Sequence, residues 1–154
     1  MMVATNKRVL IVDDESIVCD SYESVLTMAG FSVRTARSGR DALAACRNER
    51  FDVILADLKM PDMDGLEVTR EVKKEFPQVQ VLIITGDHST PAAMKSHSWH
   101  PVPFLIWAPK THRTDLEISF SERNCARGGL GIFPAVETMS LALAHAGRLN
   151  KFGA

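Results

Sequence analysis

Four short strand-like segments in the first half of the chain, most of them apolar runs, limit its fold more than any other feature. They are separated by stretches in which apolar residues recur at helical spacing. Unbroken apolar runs, as opposed to alternating ones, are typical of strands covered on both faces. Strands that alternate with helices in this way build parallel, doubly wound sheets. The predicted strands are Arg8–Val12, Phe31–Thr35, Asp52–Ala56 and Val79–Ile84.

Three helices are predicted between these strands, over residues 15–29, 39–49 and about 66–76. Gly30 and Pro77 are suitable stops for the first and third helices, and Ser38 is a suitable N-cap for the second. The residues expected to face the core are Ile17, Val18, Tyr22, Val25, Leu26 and Ala29 in the first helix, and Ala42, Leu43, Ala45 and Cys46 in the second.

The composition changes near Gly86. Residues 1–86 hold 11 basic and 14 acidic residues, whereas residues 87–154 hold 7 basic and 5 acidic residues with all five His and both Trp. The sequence therefore predicts two parts, 1–86 and 87–154, of which the second completes the sheet of the first. The second part would complete the sheet with three predicted elements: a helix over 90–97, a fifth strand at Val102–Trp107 and a helix over 135–149. The predicted fold is α/β, with a doubly wound parallel five-stranded sheet of flavodoxin-like order.

Acidic residues follow the predicted strands. Asp13 and Asp14 end the first strand, Asp57 ends the third, and Thr85 ends the fourth. Because the carboxyl ends of parallel strands meet at one edge, we expect these side chains to converge. Like charges this close need a cation, and Mg2+ prefers oxygen ligands. A carboxylate beside Mg2+ can attack a phosphoryl group. The alternative for a single acid is that it only caps a turn or a helix.

Three sequence pieces carry a family resemblance: VLIVDDE, DVILADLKMPDMDGLE and VLIITG. With them, residues 8–86 resemble the receiver domain of two-component response regulators. The resemblance implies that Asp57 accepts a phosphoryl group from a sensor histidine kinase or a phosphotransfer protein. It implies that Asp13, Asp14, Asp57 and the backbone carbonyl of Lys59 hold Mg2+, and that Thr85 is the switch hydroxyl.

Receivers also carry a Lys-Pro pair after the fifth strand, and its Lys bonds the phosphoryl group. In this chain that position falls near Trp107, and Ala108 follows it. Lys110, which comes after Pro109, is a displaced candidate for this lysine, because its ammonium group is carried on a long and flexible side chain. The alternative is an ordinary loop lysine.

The later pieces TGDHSTP, HSWHPVPFLI, ERNCARGGLG and AGRLNKFGA carry a second resemblance. Residues 84–154 are similar to the carboxyl-terminal end of archaeal-type cofactor-independent phosphoglycerate mutase. This implies that Asp87, His88 and His97 descend from ligands of a metal pair, for which Mn2+ or Zn2+ is suited. The mutase also needs a serine nucleophile and further ligands that residues 1–86 do not match. A fusion is predicted where the two resemblances meet, at residues 84–86.

The main hypothesis is a receiver protein of a phosphorelay, phosphorylated on Asp57 with Mg2+. The alternative is an inactive fragment of a metal-dependent phosphoglycerate mutase, and a third is a chimera with neither activity. We expect an output through an unidentified protein partner, with a homodimer left open. The net charge of -1 argues against nucleic acid. No signal peptide or membrane span is expected. The three cysteines form no disulfide framework and no C-x-x-C motif, which predicts a protein of the reducing cytoplasm.

Overall fold

A computed structural model describes residues 7–84, 102–107, 121–134 and 137–145. The described strands form one five-stranded sheet in the order β2-β1-β3-β4-β5, which is the flavodoxin-like order that the sequence predicts. The elements are β1 (Arg8–Val12), α1 (Ser16–Met28), β2 (Ser32–Ala36), α2 (Gly39–Asn48), β3 (Val53–Asp57), α3 (Gly65–Glu75), β4 (Gln80–Ile84), β5 (Phe104–Trp107), α4 (Glu122–Cys125) and α5 (Thr138–His145).

The first four strands are parallel and end together. Val12 of β1 lies opposite Ala36 of β2 and Ala56 of β3, and Asp57 lies opposite Ile84 of β4. The chain therefore leaves β1, β3 and β4 at the same side of the sheet. We call this side the acidic edge.

The fifth strand differs from the prediction of an all-parallel sheet. β5 runs antiparallel to β4, with Phe104 opposite Ile84 and Trp107 opposite Val81. A parallel neighbour would require the chain to cross back over the sheet before pairing, whereas an antiparallel neighbour can begin at the edge where the previous strand ends. The amino end of β5 thus lies at the acidic edge and its carboxyl end at the opposite edge.

The sheet is covered on both faces, as the unbroken apolar runs predict. Alternate residues of β1, β3 and β5 enter one of two buried clusters, so that Leu10 and Ile54 pack on one face and Val9 and Val53 on the other. The first cluster includes residues of α2 and α3, and the second includes residues of α1 and α5. The four predicted core residues of α2 are all buried, and Ser38 caps that helix by accepting a hydrogen bond from the Asp41 N–H.

The predicted core face of α1 is partly wrong. Ile17 and Val25 are 73% and 64% exposed, whereas Cys19 and Leu26 are buried and Tyr22 packs against their cluster. Positions 19, 22 and 26 are separated by three and four residues, so they lie on one side of a helix. The helix is therefore rotated about its axis relative to the prediction, and its buried stripe is narrower.

The later part contributes to the same core. Ala142 of α5 is fully buried and Met139 packs beside it, within the predicted helix over 135–149. α4 is a short helix inside the segment 108–134, for which no structure was predicted. The predicted helix over 90–97 lies outside the described residues. Among the helices of the described residues, none has the length and apolar character that crossing a bilayer requires.

Candidate functional site at the acidic edge

Two adjacent strands bring Asp13 and Asp57 to the acidic edge. Because Val12 and Ala56 are register partners, the residues that follow them occupy neighbouring positions. Burial raises the pKa of Asp13 above its ordinary value, and the charges of Asp57 and Asp14 raise it further. Burial also raises the pKa of Asp57, and the charge of Asp14 adds to this increase. The three predicted acids therefore lie close enough to repel one another.

Hydrogen bonds hold all three acids in place, through the carboxylates of Asp13 and Asp57 and through the backbone of Asp14. The Lys59 N–H donates to Oδ2 of Asp57 at 2.9 Å, and the Glu15 N–H donates to Oδ1 of Asp13 at 2.9 Å. The guanidinium of Arg37 donates from Nε and Nη2 to the backbone carbonyl of Asp14, at 3.0 and 2.5 Å. Each of the three acids is thus held by at least one hydrogen bond to its carboxylate or its backbone.

The start of α3 packs directly on the backbone of Asp57. A Cβ placed on Gly65 would lie 2.4 Å from the Asp57 carbonyl oxygen, a separation that only a glycine avoids. The Gly65 N–H donates to the Leu58 carbonyl at 3.1 Å. Asp64 and Glu67 close a capping box at this helix start, which satisfies two further backbone groups. The turn after Asp57 is consequently fixed at both ends.

The donor set fits a divalent cation. In the described ranges, no group of three or more His, Cys, Asp or Glu side chains has the geometry of a metal site. Mg2+ does not need such a group, because it binds through one or two carboxylates and keeps several waters. Asp13, Asp14 and Asp57 supply oxygen ligands only, and the raised pKa values of Asp13 and Asp57 reflect burial and negative charge that a cation would offset.

Several predicted site residues lie outside the described residues: Thr85, Asp87, His88, His97 and Lys110. Their predicted roles stay predictions. Ile84, the last described residue before Thr85, is the register partner of Asp57. β5, the strand that precedes Lys110 in the chain, has its carboxyl end at the opposite edge.

Sequence reasoning missed two residues at this edge. Arg37 contacts the Asp14 backbone across 23 residues of sequence, and no local pattern indicates that contact. Asp62 bonds the first two residues of α2, again from a distance in sequence. The sequence did contain a signal for Asp62. The piece MPDMDG has two acids, and Asp62 is the one that neither the metal site nor the cap of the following helix requires.

The raised pKa values predict how the stability of the metal-free protein depends on pH. Between the ordinary value of 3.8 and the raised values, folded Asp13 and Asp57 keep protons that the unfolded chain has lost. The free energy of unfolding therefore falls as pH rises through this window. In chelator, an Asp13→Asn/Asp57→Asn variant should gain stability relative to the parent as pH rises from about 3.5 to 7. Urea unfolding measures this difference, and a difference that is flat or falls with pH would contradict the expectation.

Comparison with known proteins supports the receiver resemblance. The family model for the response regulator receiver domain matches residues 9–105. A CheY-like receiver domain protein from Methanospirillum hungatei is 37% identical, with a TM-score of 0.51 over 54% of this chain and 66% of that one. Response regulator TrrA from Thermotoga maritima, solved in complex with Mg2+ and BeF, is 28% identical, with a TM-score of 0.50 over 58% of this chain and 74% of that one.

The mutase resemblance is supported as well. The family model for the metalloenzyme superfamily matches residues 67–145. A probable 2,3-bisphosphoglycerate-independent phosphoglycerate mutase from Thermus thermophilus is 60% identical over 152 residues, and one from Thermotoga maritima is 52% identical over 149 residues. Each match covers 86% of this chain, so the resemblance begins before the predicted residue 84. The chain spans 37% of the length of these relatives.

The two matches overlap over residues 67–105, which include most of α3, all of β4 and the first two residues of β5. This segment is consistent with both families, so the predicted division between 1–86 and 87–154 stays a prediction. A fusion of two α/β proteins through a shared strand–helix segment explains the overlap. The chain belongs to the response regulator receiver family over residues 9–105 and to the metalloenzyme superfamily over residues 67–145.

Proposed function

We propose that the chain acts as the receiver of a phosphorelay and that Asp57 accepts the phosphoryl group with Mg2+ bound. One observation carries this proposal. Asp57 ends a buried strand beside Asp13 and Asp14, and its carboxylate is oriented by the Lys59 N–H. Membership of both families implies a divalent metal ion, and the all-oxygen donor set favours Mg2+.

The chemistry is nucleophilic attack by a carboxylate. An oxygen of Asp57 forms a bond to phosphorus while the bond from phosphorus to the donor, a phosphohistidine nitrogen or an acyl oxygen, breaks. The leaving group departs with the bonding electrons. Bound Mg2+ would neutralise the gathered carboxylates and the phosphoryl oxygens. Asp13, Asp14 and the Lys59 carbonyl would hold it, and Thr85 would bind a phosphoryl oxygen. Water later cleaves the acyl phosphate and restores the carboxylate.

The proposed partners follow from this role. A sensor histidine kinase or a phosphotransfer protein would donate the phosphoryl group. The phosphorylated chain would then contact an output protein. The strength of that switch depends on contacts that differ between the two states.

The test is phosphorylation by acetyl phosphate. We expect the protein to gain the mass of one phosphoryl group in Mg2+ and none in chelator, with the label lost over time by hydrolysis. Intact-protein mass spectrometry measures the gain. No Mg2+-dependent gain at saturating acetyl phosphate, from a sample with native circular dichroism, would reject the proposal.

A second candidate function is favoured by the identity to the phosphoglycerate mutases. In this case Asp87, His88 and His97 would be vestigial ligands for Mn2+ or Zn2+. We expect no conversion of 3- to 2-phosphoglycerate with Mn2+ supplied, because the chain spans 37% of the length of these relatives and the resemblance assigns no residue of this chain as the serine nucleophile. A coupled assay measures turnover. Sustained conversion by homogeneous protein would establish the mutase function instead.

A further inference from the structure

Asp62 joins the turn after Asp57 to a different helix. Its Oδ1 accepts a hydrogen bond from the Gly39 N–H at 3.2 Å, and its Oδ2 accepts one from the Arg40 N–H at 3.2 Å. These are the first two backbone N–H groups of α2, which have no partners within the helix. We call residues 58–64 the acceptor loop. Asp62 is therefore a cap supplied to α2 by the acceptor loop.

Close packing reinforces this junction. A Cβ on Gly39 would lie 2.7 Å from Cβ of Met63 and 2.9 Å from a methyl group of Val68. Only a residue without a side chain allows the acceptor loop to approach the start of α2 this closely. The same short stretch of loop is thus held to α2 by two hydrogen bonds and by contact.

The other anchors of the acceptor loop lie at its ends. The Lys59 N–H is bonded to Asp57, and the Leu58 carbonyl accepts from the Gly65 N–H. The Lys59 carbonyl, the proposed metal ligand, lies between these contacts and Asp62. Without Asp62, nothing among the described hydrogen bonds ties the middle of the loop to the rest of the fold.

We propose that Asp62 is a positioning residue, which fixes the acceptor loop to α2 and thereby holds the Lys59 carbonyl in place for the metal ion. This inference rests on the proposed function. Ser38 caps the same helix through a different group, the Asp41 N–H at 3.1 Å, so a Ser38 variant tests the stability of α2 separately from the loop connection. Ser38 belongs to α2's own cap and makes no described bond to the acceptor loop. Partners behind metal ligands commonly tune metal affinity by restricting ligand motion.

The experiment compares the parent with Asp62→Ala, Asp62→Asn and Ser38→Ala. Calorimetric titration gives Mg2+ affinity, acetyl phosphate labelling gives the rate of phosphorylation, and urea unfolding gives stability. We expect Asp62→Ala to weaken Mg2+ binding by roughly tenfold and to slow labelling at subsaturating Mg2+. Ser38→Ala should lose stability with unchanged Mg2+ affinity. Asp62→Asn should recover part of the affinity, because it keeps one acceptor oxygen while losing the charge.

The outcomes separate the inference from the proposed function. If the parent binds Mg2+ and is labelled while Asp62→Ala matches it, the inference is overturned and the function stands. An equal loss of affinity in Ser38→Ala would show that helix stability, not the loop connection, matters. If the parent protein neither binds Mg2+ nor is labelled, both the proposed function and the inference about Asp62 are rejected.

Discussion

Asparagine in place of Asp57 is expected to abolish Mg2+-dependent phosphorylation by acetyl phosphate. The amide has nearly the shape of the carboxylate but lacks the anionic oxygen that attacks phosphorus. It also removes one of the negative charges that would attract the metal ion. Because the carboxylate is already partly desolvated at the acidic edge, the folded protein should tolerate the change well. Mass spectrometry on the labelled variant measures the loss.

The control for this variant is Asp20→Asn, which makes the same chemical change at an exposed position of α1. We expect that control to be labelled at the parental rate. If Asp57→Asn is labelled as fully as the parent, Asp57 is not the acceptor. Peptide mapping would then identify the acid that is, with Asp13 and Asp14 as the neighbouring alternatives.

Alanine in place of Gly65 is expected to destabilise the protein by about 3 kcal/mol and to impair phosphorylation. The new Cβ would lie 2.4 Å from the Asp57 carbonyl oxygen. Neither group can move freely, because one begins α3 and the other ends the buried strand β3. Relief of the clash would have to shift the phosphoacceptor itself. The free energy of unfolding in urea and the labelling rate should therefore fall together.

Gly131→Ala is the matched control. Gly131 has φ of 64°, which costs an alanine about 1 kcal/mol, but its Cβ would meet no atom within 4 Å. That variant should lose a little stability and keep the parental labelling rate. If Gly65→Ala and Gly131→Ala lose similar amounts of stability and labelling rate, the close approach of α3 to Asp57 is not needed for phosphorylation.

Much of the fold is readable from the sequence because local signals agree. The strands β1, β3 and β4 are largely apolar runs, and an acid follows β1 and ends β3. The Ser38 cap and the Asp64–Glu67 capping box mark two helix starts within one or two residues. The grouping of Asp13, Asp14 and Asp57 follows from strand ends alone.

The features that escaped prediction depend on contacts between distant residues. The direction of β5 cannot be read from its own sequence, because an apolar strand packs equally well in either direction. The bond from Asp62 to α2 depends on how closely two elements approach. Gln80 is a third case: it begins β4 fully buried, with no partner for its side-chain amide among the described residues. A polar residue at that position would ordinarily be assigned to the surface.

The reversal of β5 bears on how such a chain could arise. A strand at the edge of a sheet makes backbone hydrogen bonds with one neighbouring strand only. A newly joined segment that forms such a strand therefore has to pair with a single strand of the existing sheet. Pairing antiparallel also removes any demand for a correctly handed crossover. The inner strands β1 and β3 and the acids at their ends lie before residue 67, outside the overlap of the two family matches. Gene recombination at a sheet's last strand can thus exchange the end of a protein while the chemistry encoded upstream is inherited intact.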